Sequence, residues 1–157
     1  DGAARRPLKA PAAHEPVIPE CSSDVVAVVG LDAVGKPLND RWVFRPGLYS
    51  QVTGAPLDSP VTEQSIAQVI IDEHGLMKGC PSTARRTVLL NKAEAIRSFF
   101  AGARIASILS DMRVGRLKRV FIGSLMPDLF CIEAHHSPSR LFSSNACFLG
   151  NQPEIRN

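Results

Sequence analysis

Apolar and polar residues follow one another along this chain in blocks whose spacing separates strands from helices. Val25–Val29 is a continuous apolar, mostly β-branched run behind polar Ser22, Ser23 and Asp24. Such a run predicts a strand buried on both faces, as in a parallel sheet. Thr62-x-x-Ser65 then resembles a helix start, and Ile66, Val69 and Ile70 recur at helical spacing up to Gly75, where a helix would stop. Thr87–Leu90 is a second short apolar run bounded by charges. After it, Ile96, Phe99, Phe100, Ala103, Ala106 and Leu109 form one stripe of a long amphipathic helix reaching to Met112. Gly102 inside that helix costs about 1 kcal/mol relative to Ala, so tertiary packing has to compensate. Arg119–Ile122, closing on Gly123, reads as a third strand.

The intervening stretches are broken by proline. Pro7, Pro11, Pro16 and Pro19 make residues 1–20 an extended arm, and Pro37, Pro46, Pro56 and Pro60 interrupt residues 31–60, with a short helix after Pro46. Strand, helix, strand, helix, strand predicts an α/β domain: three layers around a mostly parallel sheet. The pattern holds over residues 1–125. Residues 126–157 mix Pro, Ser, Asn and isolated aromatics without steady period, and read as a poorly specified tail with one short element near Leu129–Glu133.

Composition changes this picture little. A chain of 157 residues with 45% hydrophobic and 21% charged residues suits one globular domain with a real core. The net charge of +3 comes from scattered Lys and Arg, apart from Arg113, Arg116, Lys118 and Arg119. No aromatic residues interleave with that cluster, so it reads as a solvated connection, and no nucleic-acid partner is expected. No apolar run approaches the roughly 20 residues that cross a bilayer, so no membrane partner is expected either. Cys21, Cys80, Cys131 and Cys147 form no C-x-x-C pair, which fits free thiols and a cytoplasmic location. Cys131, His135, His136 and Cys147 match no established zinc spacing.

Two segments resemble nucleotide-binding motifs. Gly30-x-x-x-x-Gly35-Lys36 follows a strand as a phosphate-binding loop does, but Pro37 stands where Ser or Thr would ligate magnesium, and Asp32 puts a carboxylate inside the loop. We read it as a strand-to-loop transition. Asn91-Lys92-Ala93-Glu94 lies at the end of the second strand, where open α/β sheets bind ligands. It is close to the Asn-Lys-x-Asp element of GTP-binding proteins, whose carboxylate accepts hydrogen bonds from guanine; Glu94 is one methylene longer than that Asp. Ser124, after the third strand, lies where such proteins place a loop against the guanine oxygen. Asn91-x-x-Glu94 is equally a helix capping box, and the residues alone leave both readings open. His14–Glu15 could form an acid–base pair, but adjacent residues of an extended arm point to opposite sides, which favours two separate roles.

With these motifs in hand, the chain resembles a known family, the selenium-dependent hydroxylase accessory proteins (YqeC-like). The resemblance runs through Asp1–Gly2, Pro7–Leu8–Lys9–Ala10–Pro11, His14–Glu15–Pro16–Val17–Ile18–Pro19, Val28–Ala33, Gly35–Leu38, Arg45–Pro46, Gly75–Gly79, Leu89–Lys92 and Gly123–Leu125. It implies a partial P-loop NTPase-like domain lacking its N-terminal phosphate-loop portion, the true loop lying upstream of Asp1. It further implies an accessory protein for maturation of selenium-dependent molybdenum hydroxylases, of GTPase or NTPase type. In the intact protein it would use Mg2+ with GTP or ATP and partner a molybdenum hydroxylase or its maturation machinery. Asp1 would sit near the metal and Asn91, Lys92, Glu94 and Ser124 near the base. Lys9, His14 and Glu15 are family-motif positions of unassigned role. Without a phosphate loop the chain is expected to be inactive. The alternative is a non-catalytic protein-interaction domain in which Asn91–Glu94 is only a helix cap.

Overall fold

A computed structural model describes residues 5–112, 117–125 and 130–134. Asp1, Arg113 and Arg116, and the tail residues His135, His136 and Cys147 lie outside the described residues. In chain order the elements are β1 (Leu8–Lys9), β2 (Asp24–Gly30), β3 (Val43–Phe44), α1 (Pro46–Thr53), α2 (Glu63–Ile71), β4 (Arg85–Asn91), α3 (Ile96–Asp111), β5 (Leu117–Ser124) and β6 (Phe130–Ala134). A single 3-10 turn, Leu31–Ala33, follows β2.

The main sheet has the order β2-β4-β5-β6, with β2, β4 and β5 parallel and β6 antiparallel to β5. The α/β class and the mostly parallel sheet are as the sequence predicts. The short element anticipated near Leu129–Glu133 is β6, so the sheet continues beyond residue 125, where the sequence changes character. β1 and β3 form a separate parallel ribbon, pairing Leu8 with Val43 and Lys9 with Phe44.

Alternation along the strands sorts the sheet into two unlike faces. Ala27, Val29, Val88, Leu90, Val120 and Ile122 are buried in one core with Ile66, Val69 and Ile70 of α2 and Ile105 and Leu109 of α3. On the other face Val26 and Val28 are 56% and 53% exposed. The expectation of a β2 buried on both faces is therefore corrected. Its β-branched run reflects strand preference on both sides but burial on one. The described residues supply two of the three layers the sequence led us to expect.

Local chemistry accounts for the helices. Thr62 caps α2: its Oγ1 accepts from Ser65 N at 3.1 Å, and Ser65 Oγ accepts from Thr62 N at 3.1 Å. Tyr49, fully buried on α1, donates its hydroxyl to Ser65 Oγ at 2.8 Å, tying α1 to the cap of α2. Burial pushes the Tyr49 pKa up. Gly102 explains itself by close approach, since a Cβ there would stand 2.9 Å from Ile122 Cγ2 and 3.1 Å from Leu31 Cδ1. The helix gives up intrinsic stability to sit low on β5. Among the described residues no helix is long and apolar enough to cross a membrane.

Candidate functional site

The carboxyl ends of β2, β4 and β5 lie side by side, with Gly30 paired to Asn91 and Leu90 to Ile122. This is the edge at which parallel sheets bind ligands. At the end of β4 the chain turns through Lys92, which takes a left-handed φ of 65°. That turn sends Ala93 back to donate to Gly123 O at 3.1 Å and lets Asn91 Oδ1 accept from Leu125 N at 3.1 Å. Ser124, only 1% exposed, donates its hydroxyl to Glu94 Oε1. The Ser124 hydroxyl, with Glu94's own backbone N–H, holds the Glu94 carboxyl below its usual range. Lys92 Nζ forms an ion pair with Asp32 Oδ2 at 3.1 Å. Glu94 thus meets Ser124, Asn91 meets the residue after Ser124, and Lys92 turns to Asp32, all at the same strand ends.

This geometry corrects the capping-box alternative. Helix α3 begins at Ile96 with Ala95 as its N-cap and no side-chain cap. β4 runs through Asn91 and the left-handed turn follows, so the chain needs further residues before a helix can start. Asn91 and Glu94 both reach to β5 instead. Sequence reasoning missed Asp32 as a member of the group, treating it only as an intruder in a loop. Its position two residues past Gly30, opposite Asn91 in register, is the signal that places it there.

The discounted phosphate loop is confirmed as a structural transition by its own donors. Gly30 N donates to Pro7 O, Val34 N to Leu31 O, Gly35 N to Val61 O and Lys36 N to Ala33 O, at 2.8, 3.1, 2.8 and 3.0 Å. None of these N–H groups remains to cradle a phosphate. A Cβ at Gly30 would stand 2.7 Å from both Asp32 Oδ1 and Pro7 Cβ, so this glycine serves the approach of the N-terminal arm. Among the described residues no group of three His, Cys, Asp or Glu could hold a metal ion. The amides of this loop are thus spent within the chain, and Asp1, the metal position that the resemblance implies, lies outside the described residues. Beside the strand ends, between the loop after β2 and the first turns of α3, a cleft of about 390 Å³ is lined by Leu31, Val34, Arg97, Phe100 and Arg104. Its lining is mixed, with Leu31, Val34 and Phe100 beside Arg97, Ser98 and Arg104, and it is flanked in the chain by Asp32 and Glu94.

The family-motif positions form a second cluster. Glu15 accepts from Arg45 Nη1 at 2.5 Å and from Arg45 Nη2 at 3.4 Å, and pairs with Lys9 Nζ at 2.9 Å. The Arg45 guanidinium, with Lys9, holds the Glu15 carboxyl down to about 2. His14 points away: it is 79% exposed, with Nε2 4.0 Å from Glu15 Oε1. Glu15 is held by Lys9 and Arg45, while His14 stays largely in solvent. Arg45, the residue missed here, has a left-handed φ of 62° at the N-cap of α1, a strained conformation for a residue with a Cβ. Its side chain is held by Glu15 on one side and lies 4.7 Å from the Phe44 ring centroid.

An open, mostly parallel sheet with helices packed on one face defines an α/β protein. A family model described as "YqeC protein" matches residues 1–47. A protein of Escherichia coli (strain K12) described as "Uncharacterized protein YqeC" is 26% identical over 125 residues, covering 80% of this chain and 48% of the relative. The chain thus spans about half the length of that curated relative. No solved structure matches. The two sequence matches agree with each other and with the motifs along the arm: the chain is similar to YqeC proteins.

Proposed function

We propose that this chain carries the base-recognising part of a nucleotide-binding accessory protein, of the GTPase or NTPase type, that serves maturation of selenium-dependent molybdenum hydroxylases. The observation that carries the nucleotide reading is the meeting of Glu94, Ser124 and Asn91 at the carboxyl ends of β4 and β5, away from any helix cap. An ionised carboxylate there accepts hydrogen bonds from ring and exocyclic N–H groups of a purine. The Lys92 stem would supply an apolar surface for the ring, with Leu31 and Phe100 of the nearby cleft beyond it. The maturation role rests on the family resemblance of the motifs.

Fluorescent GTP, GDP and ATP analogues titrated against the chain test the base site. Weak, saturable binding that Glu94→Ala abolishes, with an unchanged melting temperature, supports it. Loss of stability without any nucleotide binding rejects it. No steady hydrolysis is expected, because the amides of Gly30, Gly35 and Lys36 are spent on acceptors within the chain.

A protein-interaction role has one observation in its favour, the uncovered Val26 and Val28 on the outer face of β2. It no longer draws support from a helix cap at Asn91–Glu94.

A further inference from the structure

The segment Arg41-Trp42-Val43-Phe44-Arg45 interleaves aromatic and cationic residues, and the fold adds more cations around it. Val43 is fully buried, so Phe44, its neighbour in β3, projects to the opposite side of the β1–β3 ribbon, while Trp42, just before the strand, is half-buried with one part against the core. Arg6, Lys9 and Arg45 stand 5.9, 6.0 and 4.7 Å from the Phe44 ring centroid. Lys36 and Arg41 stand 4.8 and 5.6 Å from that of Trp42. Lys9 and Arg45 direct their charge to Glu15. Arg6 donates to the main-chain oxygen of Asp40, and among the described residues no carboxylate lies within ion-pair reach of Arg6, Lys36 or Arg41.

A cation stacked on an aromatic ring loses little further freedom on binding, and a stacked guanidinium keeps its N–H edge available to an anion. We propose that this ribbon surface docks a carboxylate-rich segment of a partner protein, with Arg6, Lys36 and Arg41 as its anchors. A single-stranded nucleic acid fits less well on two counts. The ring surfaces are attended by the chain's own cations instead of being offered to bases, and Glu15 sits within the positive field. Separate carboxylates of a peptide pair naturally with separate, spaced cationic heads. The inference is independent of nucleotide binding at the strand ends.

Trp42 is the chain's one tryptophan, so its fluorescence reports on this surface alone. The chain is titrated with an oligoglutamate peptide and, separately, with oligothymidylate. The expected result is a saturable change in Trp42 emission with the peptide, weakening as salt is raised, and tighter than for the DNA. Binding of labelled peptide, followed by anisotropy, should weaken about tenfold in the triple variant Arg6→Gln, Lys36→Gln, Arg41→Gln. The control triple Arg85→Gln, Lys118→Gln, Arg119→Gln should bind as the parent does. Should the first triple fail to fold, exposed Arg41→Gln alone should still weaken binding about threefold. A silent Trp42, tighter binding of DNA, or equal losses in the two triples overturns the proposal.

Discussion

Asp32 and Lys92 are joined across the ends of β2 and β4, Oδ2 to Nζ, at 3.1 Å, while the other oxygen of Asp32 is buried with no hydrogen-bond partner. The pair is unequal in what it gives and costs. The lysine is 54% exposed, so the ion pair contributes at most about 1 kcal/mol. The unpartnered oxygen costs about as much.

Asp32→Ala should therefore change stability little, within about 0.5 kcal/mol by urea denaturation, because it removes the unpartnered oxygen together with the pair. Nucleotide titration should still respond, since Lys92 loses the partner that fixes its direction. A large destabilisation would show that the ion pair holds β2 and β4 together.

Glu15 makes stability depend on acid in a defined window. Its folded pKa is about 2 against an ordinary 4.5, held down by Arg45 and Lys9. A depressed carboxyl stabilises the fold above its unfolded value, and the benefit fades as pH falls from about 4.5 towards 2. Glu15→Gln should be less stable than the parent at pH 7, and the two should converge across that window. Asp24, lowered from 3.8 to about 2 by Arg85 and Ser23, adds to the parent's acid sensitivity near the same range. Denaturation midpoints of parent and variant, followed against pH, check the convergence.

Tyr49→Phe removes one buried donor from Ser65 and leaves no cavity. The Ser65 hydroxyl keeps its bonds with the Thr62 backbone. The cost should be about 1 kcal/mol, with helix content unchanged by circular dichroism.

Gly102→Leu should destabilise by about 1–3 kcal/mol through overpacking against Ile122 and Leu31. Gly30→Ala acts at a different place, pressing on Pro7 and Asp32. It should loosen the N-terminal arm, and limited proteolysis should cut the segment before β2 sooner than in the parent.

The strands and helices were legible because β-branched runs and a 3.6-residue apolar stripe are local signals. What lies between them was not. Asn91–Glu94 has the spacing of a capping box, and only the register of β4 with β5, together with the left-handed turn at Lys92, decides that Asn91 and Glu94 face Leu125 and Ser124. The valines of β2 read as doubly buried because strand preference and burial favour the same residues. Arg45 drew no attention as a site residue because its partner Glu15 is distant in sequence and meets it only through the ribbon of β1 and β3. The decoy loop was the opposite case. Pro37 and Asp32 argued against phosphate from chemistry alone, and the inward-spent amides of Gly30, Gly35 and Lys36 agree.

β2 is the terminal strand of its sheet, and among the described residues its free side meets no other strand. Bare valines on one face and open main chain on one edge make it a template for strand addition. Concentration is therefore a structural variable for this chain. Held dilute, that edge stays open to solvent; in concentrated solution a strand from a neighbour would pair with it in the plane of the sheet, while Val26 and Val28, which stand out of that plane, would be covered only by a second layer laid on the face.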